Sequence, residues 1–290
     1  MQTTRQQLLH QYYTAMLERL GPSGWWPATT PLEVCIGAVL TQNTAWTNVT
    51  KALANLSEAG VLHDGMVLLQ LSDATLEVLI RPAGFFRQKA VRLKVLLRWL
   101  AEHGGLVMHA AGGSGGVAAT LQVSGAAGGS GEVAATLQVF GAAGAADGTS
   151  AMHGPDPVAS AGARVAAGGS GGLNVAAFTD WTTDDLRAAL LSLKGIGPET
   201  ADSILLYALQ RPSFVVDAYT YRIFHRHGLV PEVTSYDEMR DLFMDALEPD
   251  VAHFNEFHAL IVRTCKQWCA KRKPLCGQCP LGCFLDGEAV

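Results

Sequence analysis

Between residues 104 and 177 lies a stretch of 74 residues that holds 19 of the chain's 31 glycines together with 20 alanines, and its only charges are Glu132, Asp147, Asp156 and Arg164. Such a segment adds little to a core. Glycine loses the most backbone freedom on ordering, and alanine buries little area in return. Within it VAATLQV, Val117 to Val123, recurs as Val133 to Val139, a period of 16 residues with Gly/Ser-rich spacers. Two copies are too few for a self-supporting solenoid, so the expectation is a flexible, low-complexity insertion, with a short ordered β-solenoid-like piece as the alternative. Setting it aside leaves 216 of the 290 residues, about the size of one compact bilobal protein.

The remainder carries helical periodicity. From Arg5 to Leu20, apolar Leu8, Leu9, Tyr12, Met16, Leu17 and Leu20 fall on one face, and Gly21-Pro22 supplies the stop. Thr30-Pro31-Leu32-Glu33 sets a capping Thr and Glu around a Pro at the first helical position. Further helices are predicted over about 44–58, 73–81, 87–102, 183–192, 198–209, 218–227, 236–247 and 251–264. No alternating hairpin pattern competes, and the predicted fold is all-α.

Composition bounds the function without naming it. The formal net charge of -5 excludes a global attraction to polyanions, so any nucleic-acid interface must be local. No run approaches 18 consecutive apolar residues, and Met1 to Leu20 lacks the apolar core of a leader; the expectation is a soluble, cytoplasmic protein with no membrane contact. The cysteines are uneven, with Cys35 alone and Cys265, Cys269, Cys276, Cys279 and Cys283 close to the C-terminus. Nothing points to a secreted context, which favours thiolate ligation of a metal over a disulfide framework. Around them Arg263, Lys266, Lys271, Arg272 and Lys273 form a basic run with no acid between 263 and 274. Such a run is often a solvated face, and it also serves as a phosphate-facing patch.

Two further features bear on chemistry. Leu193-Lys194-Gly195-Ile196-Gly197-Pro198-Glu199-Thr200 joins two helices through a two-glycine turn and restarts with Pro at the first helical position. Free amides at such a turn suit an anion, although many Gly-x-Gly turns are plain connections. About 20 residues on, Phe214-Val215-Val216 leads to Asp217 at the start of another helix, where an N-cap role is the bland reading.

Taken together, L-x-G-I-G-x-x-T-A, the following V-D and the C-terminal cysteines resemble the endonuclease III (helix-hairpin-helix-GPD) superfamily of DNA glycosylases over nearly the whole chain except 104–177. The resemblance implies two helical lobes. A six-helix barrel would comprise 32–103 and 178–210, and a second lobe with an iron-sulfur loop would comprise 1–31 and 211–290. It implies a hairpin of Lys194, Gly195, Ile196, Gly197 and Thr200 that grips the backbone of double-stranded DNA, and a monomeric enzyme acting on damaged bases. Asp217 would then stabilise the oxocarbenium ion formed as the glycosidic bond breaks and activate water. Gln42, in TQNTAW, would fill the gap left by the everted base. Cys269-x6-Cys276-x2-Cys279-x3-Cys283 is similar to the family's pattern for a [4Fe-4S] cluster with a final gap two residues shorter, and Zn²⁺ is the less favoured occupant. Cys265 falls outside the pattern.

One departure matters. Bifunctional members carry a lyase Lys at the second position after the hairpin's G-x-G, and this sequence has Glu199 there. A carboxylate cannot form an imine, so a monofunctional glycosylase is expected. Trp25-Trp26-Pro27 and Trp46 look closest to the 3-methyladenine DNA glycosylase III type branch, where an aromatic pocket takes alkylated purines. Indole faces favour such cationic bases. The alternatives are an enzyme for oxidised pyrimidines or mismatched bases, a non-catalytic DNA-binding iron-sulfur protein, and a redox carrier.

Overall fold

The computed structural model describes residues 4–26, 28–106 and 172–285; the VAATLQV repeat and Pro27 lie outside them. Within these limits the chain is helical. The helices are α1 (Arg5–Leu20), α2 (Pro31–Leu40), α3 (Trp46–Glu58), α4 (Gly65–Gln70), α5 (Asp73–Leu79) and α6 (Phe86–Glu102), followed by α7 (Thr183–Ser192), α8 (Pro198–Ser203), α9 (Ala218–Arg226), α10 (Tyr236–Met244) and α11 (Val251–Gln267). Most begin where side chains accept the first free amides. Thr4 with Gln7 and Ser235 with Glu238 form capping boxes, while Thr30, Ser72 and Thr182 cap α2, α5 and α7. The short α4, capped by Asp64, lies outside the sequence expectation because six residues show too little periodicity.

Two helices organise the packing. In α2 every residue from Leu32 to Leu40 except Glu33 is buried, as an element apolar all round must be, and it contacts α3, α6 and α8. The amphipathic α11 packs on α1 and α9. Between these groups runs a wide π turn, Ile204–Ala208, which touches both α2 and α11. The expected single helix over 198–209 therefore changes pitch after Ser203, and Gln210 in a left-handed conformation (φ 53°) ends it.

The boundaries of the predicted insertion need correction. Gly104 to Leu106 and Gly172 to Ala177 belong to the packed body: Leu106 and Leu173 are buried and pair antiparallel, the Asn174 amide donates to Gly105 O at 2.7 Å, and Val175–Phe178 forms a 3-10 turn. Phe178 stacks on Trp99 of α6 at 5.5 Å. The interrupted chain thus leaves and re-enters at one place.

A buried carboxylate ties the second half together. Asp202 on α8 has no solvent exposure and accepts from Arg187 on α7 (2.9 and 3.2 Å) and from Ser213 Oγ (2.5 Å), with Arg240 of α10 3.6 Å away. Replacing Asp202 with Ala leaves the Arg187 and Arg240 guanidinium groups only their exposed partners, Asp237 and Asp241, and the expected cost is about 3 kcal/mol in urea-induced unfolding. A loss below about 1 kcal/mol contradicts this role.

Candidate functional site

The expected site residues converge on one cavity of about 680 Å³, lined by Trp25, Trp26, Gln42, Trp46, Gly195, Ile196, Gly197, Glu199, Thr200 and Asp217. Asp217 is the N-cap of α9, so the bland reading of the sequence is correct as far as it goes. Its Oδ1 accepts from Tyr219 N (2.9 Å), Thr220 N (2.8 Å) and Thr220 Oγ1 (2.9 Å). That oxygen is saturated. Oδ2 is left facing His258 Nε2 at 3.5 Å, longer than a good hydrogen bond but close enough for electrostatic pairing. Burial alone would raise the Asp217 pKa, yet His258 and the Thr220 donors outweigh it and hold the carboxyl below its usual value. Glu199, at the mouth of the same cavity, moves the other way. Packing against the wall and the nearby Asp217 charge raise its pKa, although much of the residue stays exposed.

The hairpin between α7 and α8 explains its own glycines differently. Gly195 has φ 94°, and a Cβ there would lie 2.5 Å from Arg92 Cγ. Gly197 is extended, and a Cβ on it would meet no protein atom within 4 Å. Ile196 is the buried anchor of the turn, and Lys194 stands exposed. Gln42 is not free at a helix end: its Nε2 donates to Gly195 O (3.1 Å) and Thr200 Oγ1 (2.9 Å), while Arg92 Nη1 donates to its Oε1 (2.5 Å). The loop under it is held by Lys89, almost fully buried, which donates to Leu40 O, Thr44 Oγ1 and Ala83 O. Desolvation, helped by the Arg92 charge, lowers the Lys89 pKa to about 8.

The tryptophans also meet. Trp26 lies edge-on to Trp46 (5.2 Å) and Trp25 (5.8 Å), and 4.9 Å from Tyr207. Gly37 packs beneath them, and a Cβ there would make ordinary contact with Trp26 at 3.5 Å. The sequence reading missed Arg92, Tyr207 and His258, which reach the site only through packing. Phe85, which does not line the cavity, is 68% exposed in a left-handed conformation (φ 46°) beside Gly84 at the start of α6. The Gly-Phe-Phe turn was the available signal for Phe85.

Three of the four predicted ligand cysteines share a second cavity of about 270 Å³: Cys269, Cys276 and Cys279 line it, with Arg226, while Cys283 is exposed and its thiol faces Pro280 O at 3.7 Å. Among the described residues, no three or more His, Cys, Asp or Glu side chains are grouped closely enough to hold a metal ion. The Cys269 thiol is pulled down to about 6 by the Cys265 thiol and by Arg226, against burial, and Arg226 Nη1 lies 3.1 Å from its sulfur. Cys279 moves the other way, raised by burial, so of these thiols Cys269 is the one favoured as a thiolate. The basic run divides. Arg263 caps the C-terminus of α1 through Leu20 O and Gly21 O, so it is not a free cation; Lys266 reaches the main cavity, and Lys271, Arg272 and Lys273 are exposed.

Residues 36–249 match the model of the HhH-GPD superfamily base excision DNA repair proteins. The chain belongs to this superfamily. Its HhH-GPD relatives include MJ1434 of Methanocaldococcus jannaschii, provisionally named a DNA repair glycosylase, 36% identical over 281 residues and covering 97% of each chain. Among solved structures, the fold is similar to the Helicobacter pylori 3-methyladenine DNA glycosylase MagIII bound to 1,N6-ethenoadenine (TM-score 0.57, 24% identity, 91% of this chain and 97% of that one). It is also similar to a non-covalent endonuclease III–DNA complex (TM-score 0.62, 16% identity, 98% and 96%).

Two measurements test this geometry. Gly197→Ala is expected to change stability by no more than about 1 kcal/mol while weakening duplex DNA binding, because its empty space is filled by nothing in the protein. Gly195→Ala instead costs about 1–3 kcal/mol in thermal or urea unfolding. Because the folded-state pKa of Asp217 is depressed, its stabilisation is present above the unfolded carboxylate pKa and is lost as pH falls through the lower folded value. Asp217→Asn is therefore expected to flatten the acid side of a stability–pH curve.

Proposed function

We propose that this HhH-GPD protein is a monofunctional DNA N-glycosylase that removes an everted N-alkylated purine of the 3-methyladenine kind from double-stranded DNA. The observation that carries the reading is the free Oδ2 of Asp217, held ionised in a cavity walled by tryptophans. As the bond to the base breaks, positive charge grows on the sugar, and an anionic carboxylate stabilises it and orients the attacking water. A methylated purine already carries positive charge, so it both favours the Trp25, Trp26 and Trp46 rings and leaves readily. Glu199 in place of the lyase Lys supports hydrolysis without strand cleavage.

The remaining residues serve eversion. Gly195 to Thr200 offers amides and an open surface to the phosphate backbone, and Lys194, Lys266 and Lys271 to Lys273 add local positive charge. Gln42 would exchange its bonds to Gly195 and Thr200 for the gap left by the base, and the exposed Phe85 ring would wedge against unstacked neighbours. Cys269, Cys276, Cys279 and Cys283 would hold a [4Fe-4S] cluster, which supplies a structural staple when bound. A lone Zn²⁺ fits less well, because it needs thiolates within about 2.3 Å of one centre. The group around α2 corresponds to the barrel lobe and the group around α11 to the second lobe.

The test uses DNA containing N-methylated purines and, separately, oxidised pyrimidines, following free-base release with and without alkali. Methylpurine release with nicks appearing only after alkali is expected. Release of oxidised pyrimidine overturns the substrate assignment, and nicking without alkali overturns the monofunctional one. Asp217→Asn is expected to slow release by about 10²–10⁴-fold, and the Trp25→Ala/Trp26→Ala variant to lose activity on methylpurines selectively.

A further inference from the structure

His258 lies on α11 and is not part of any motif read from the sequence. Its ring is 5% exposed. Nδ1 sits 2.6 Å from the Tyr207 hydroxyl, and Nε2, 3.5 Å from Asp217 Oδ2, has no hydrogen-bond partner of its own among the described residues. Tyr207 is itself buried on the π turn and packs 4.9 Å from Trp26 of the aromatic wall. Burial, with the nearby Asp217 charge, holds the Tyr207 phenol well above its ordinary value, so it keeps its proton. In the tautomer where this phenol donates to Nδ1, the imidazole hydrogen sits on Nε2. Nε2 is then the ring atom on the side of the one Asp217 oxygen not already saturated, 3.5 Å away.

We infer that His258 is a positioning residue, oriented by Tyr207, that holds Asp217 Oδ2 ionised and aimed into the cavity, and that the Tyr207–His258–Asp217 chain links the aromatic wall to the carboxylate. The 3.5 Å separation leaves Oδ2 able to shorten onto water or the sugar without first breaking a tight bond. The inference rests on Asp217 being the working carboxylate. Asp217 is faced by Glu199 from α8, Tyr207 from the π turn, Tyr236 from α10 and His258, Cys265 and Lys266 from α11, with Tyr219 on its own helix. Of these, His258 lies 3.5 Å from Oδ2 and is the largest influence lowering the carboxyl's pKa, so its removal exposes the carboxyl to the opposing push of burial.

The experiment is single-turnover release of methylpurine from duplex DNA across the pH range of about 5 to 9, with binding to an abasic-site duplex measured in parallel. His258→Phe is expected to slow release about tenfold or more near neutral pH and to move the acid limb up by about one pH unit, with duplex affinity unchanged. His258→Gln keeps an N–H donor toward Oδ2 and is expected to recover much of the rate. Tyr207→Phe removes the group that sets the tautomer and carries the same readout if His258→Phe does not fold. A folded His258→Phe, or a folded Tyr207→Phe where the former fails, with the native rate and acid limb overturns the inference. If Asp217→Asn also retains full activity, it is the assignment of Asp217 that fails; if Asp217→Asn is inactive while the His258 and Tyr207 variants are native-like, only the chain behind it fails.

Discussion

The arrangement of the cavity depends on one desolvated carboxylate that never touches it. Asp202 is fully buried, and a buried anion is tolerated only when its lone pairs are met by charge and hydrogen bonds. The groups that meet it come from α7, α10 and the Ser213 segment, so satisfying this carboxylate sets where α8 lies relative to the strand-like run Phe214 to Val216. That run ends at Asp217. The hairpin and Asp217, about 20 positions apart in the chain, are therefore held by the same electrostatic requirement.

In the proposed reaction Asp217 would serve fold and chemistry through different oxygens. A carboxylate has two oxygens, and the N-cap uses Oδ1 alone. The donors that cap α9 also stabilise the ionised form, so the capping interaction prepares the charge that the proposed reaction needs. From the same helix Arg222 and Arg226 reach the Cys265–Lys271 segment, which makes α9 a strut between the main cavity and the cysteine-lined one.

A chain with net charge -5 can still present a cationic face, because charge acts locally at these distances. Arg92, Lys194, Lys266 and Lys271 to Lys273 lie at or near the cavities, whereas Arg187, Arg240 and Arg263 are taken up inside the fold. Counting bases in the sequence cannot separate these groups. Arg263 belongs by position to the basic run, yet two carbonyls at the end of α1 claim its guanidinium.

Helix positions were legible from the sequence wherever periodicity, a capping residue and a breaker agreed, because those signals act within one or two turns. That the hairpin, Asp217 and the tryptophans share one place was legible too, because each stands in a short motif. Tertiary structure alone decided that Gln42 is bound to Gly195 and Thr200, that the chain around 104–177 is pinned through Leu106 and Leu173, and that a π turn follows Ser203. It also decided that His258 meets Asp217, from positions 41 residues apart. The reason is physical: local propensity is set by neighbours in the chain, whereas the partner of a buried polar atom is set by which helices pack over it.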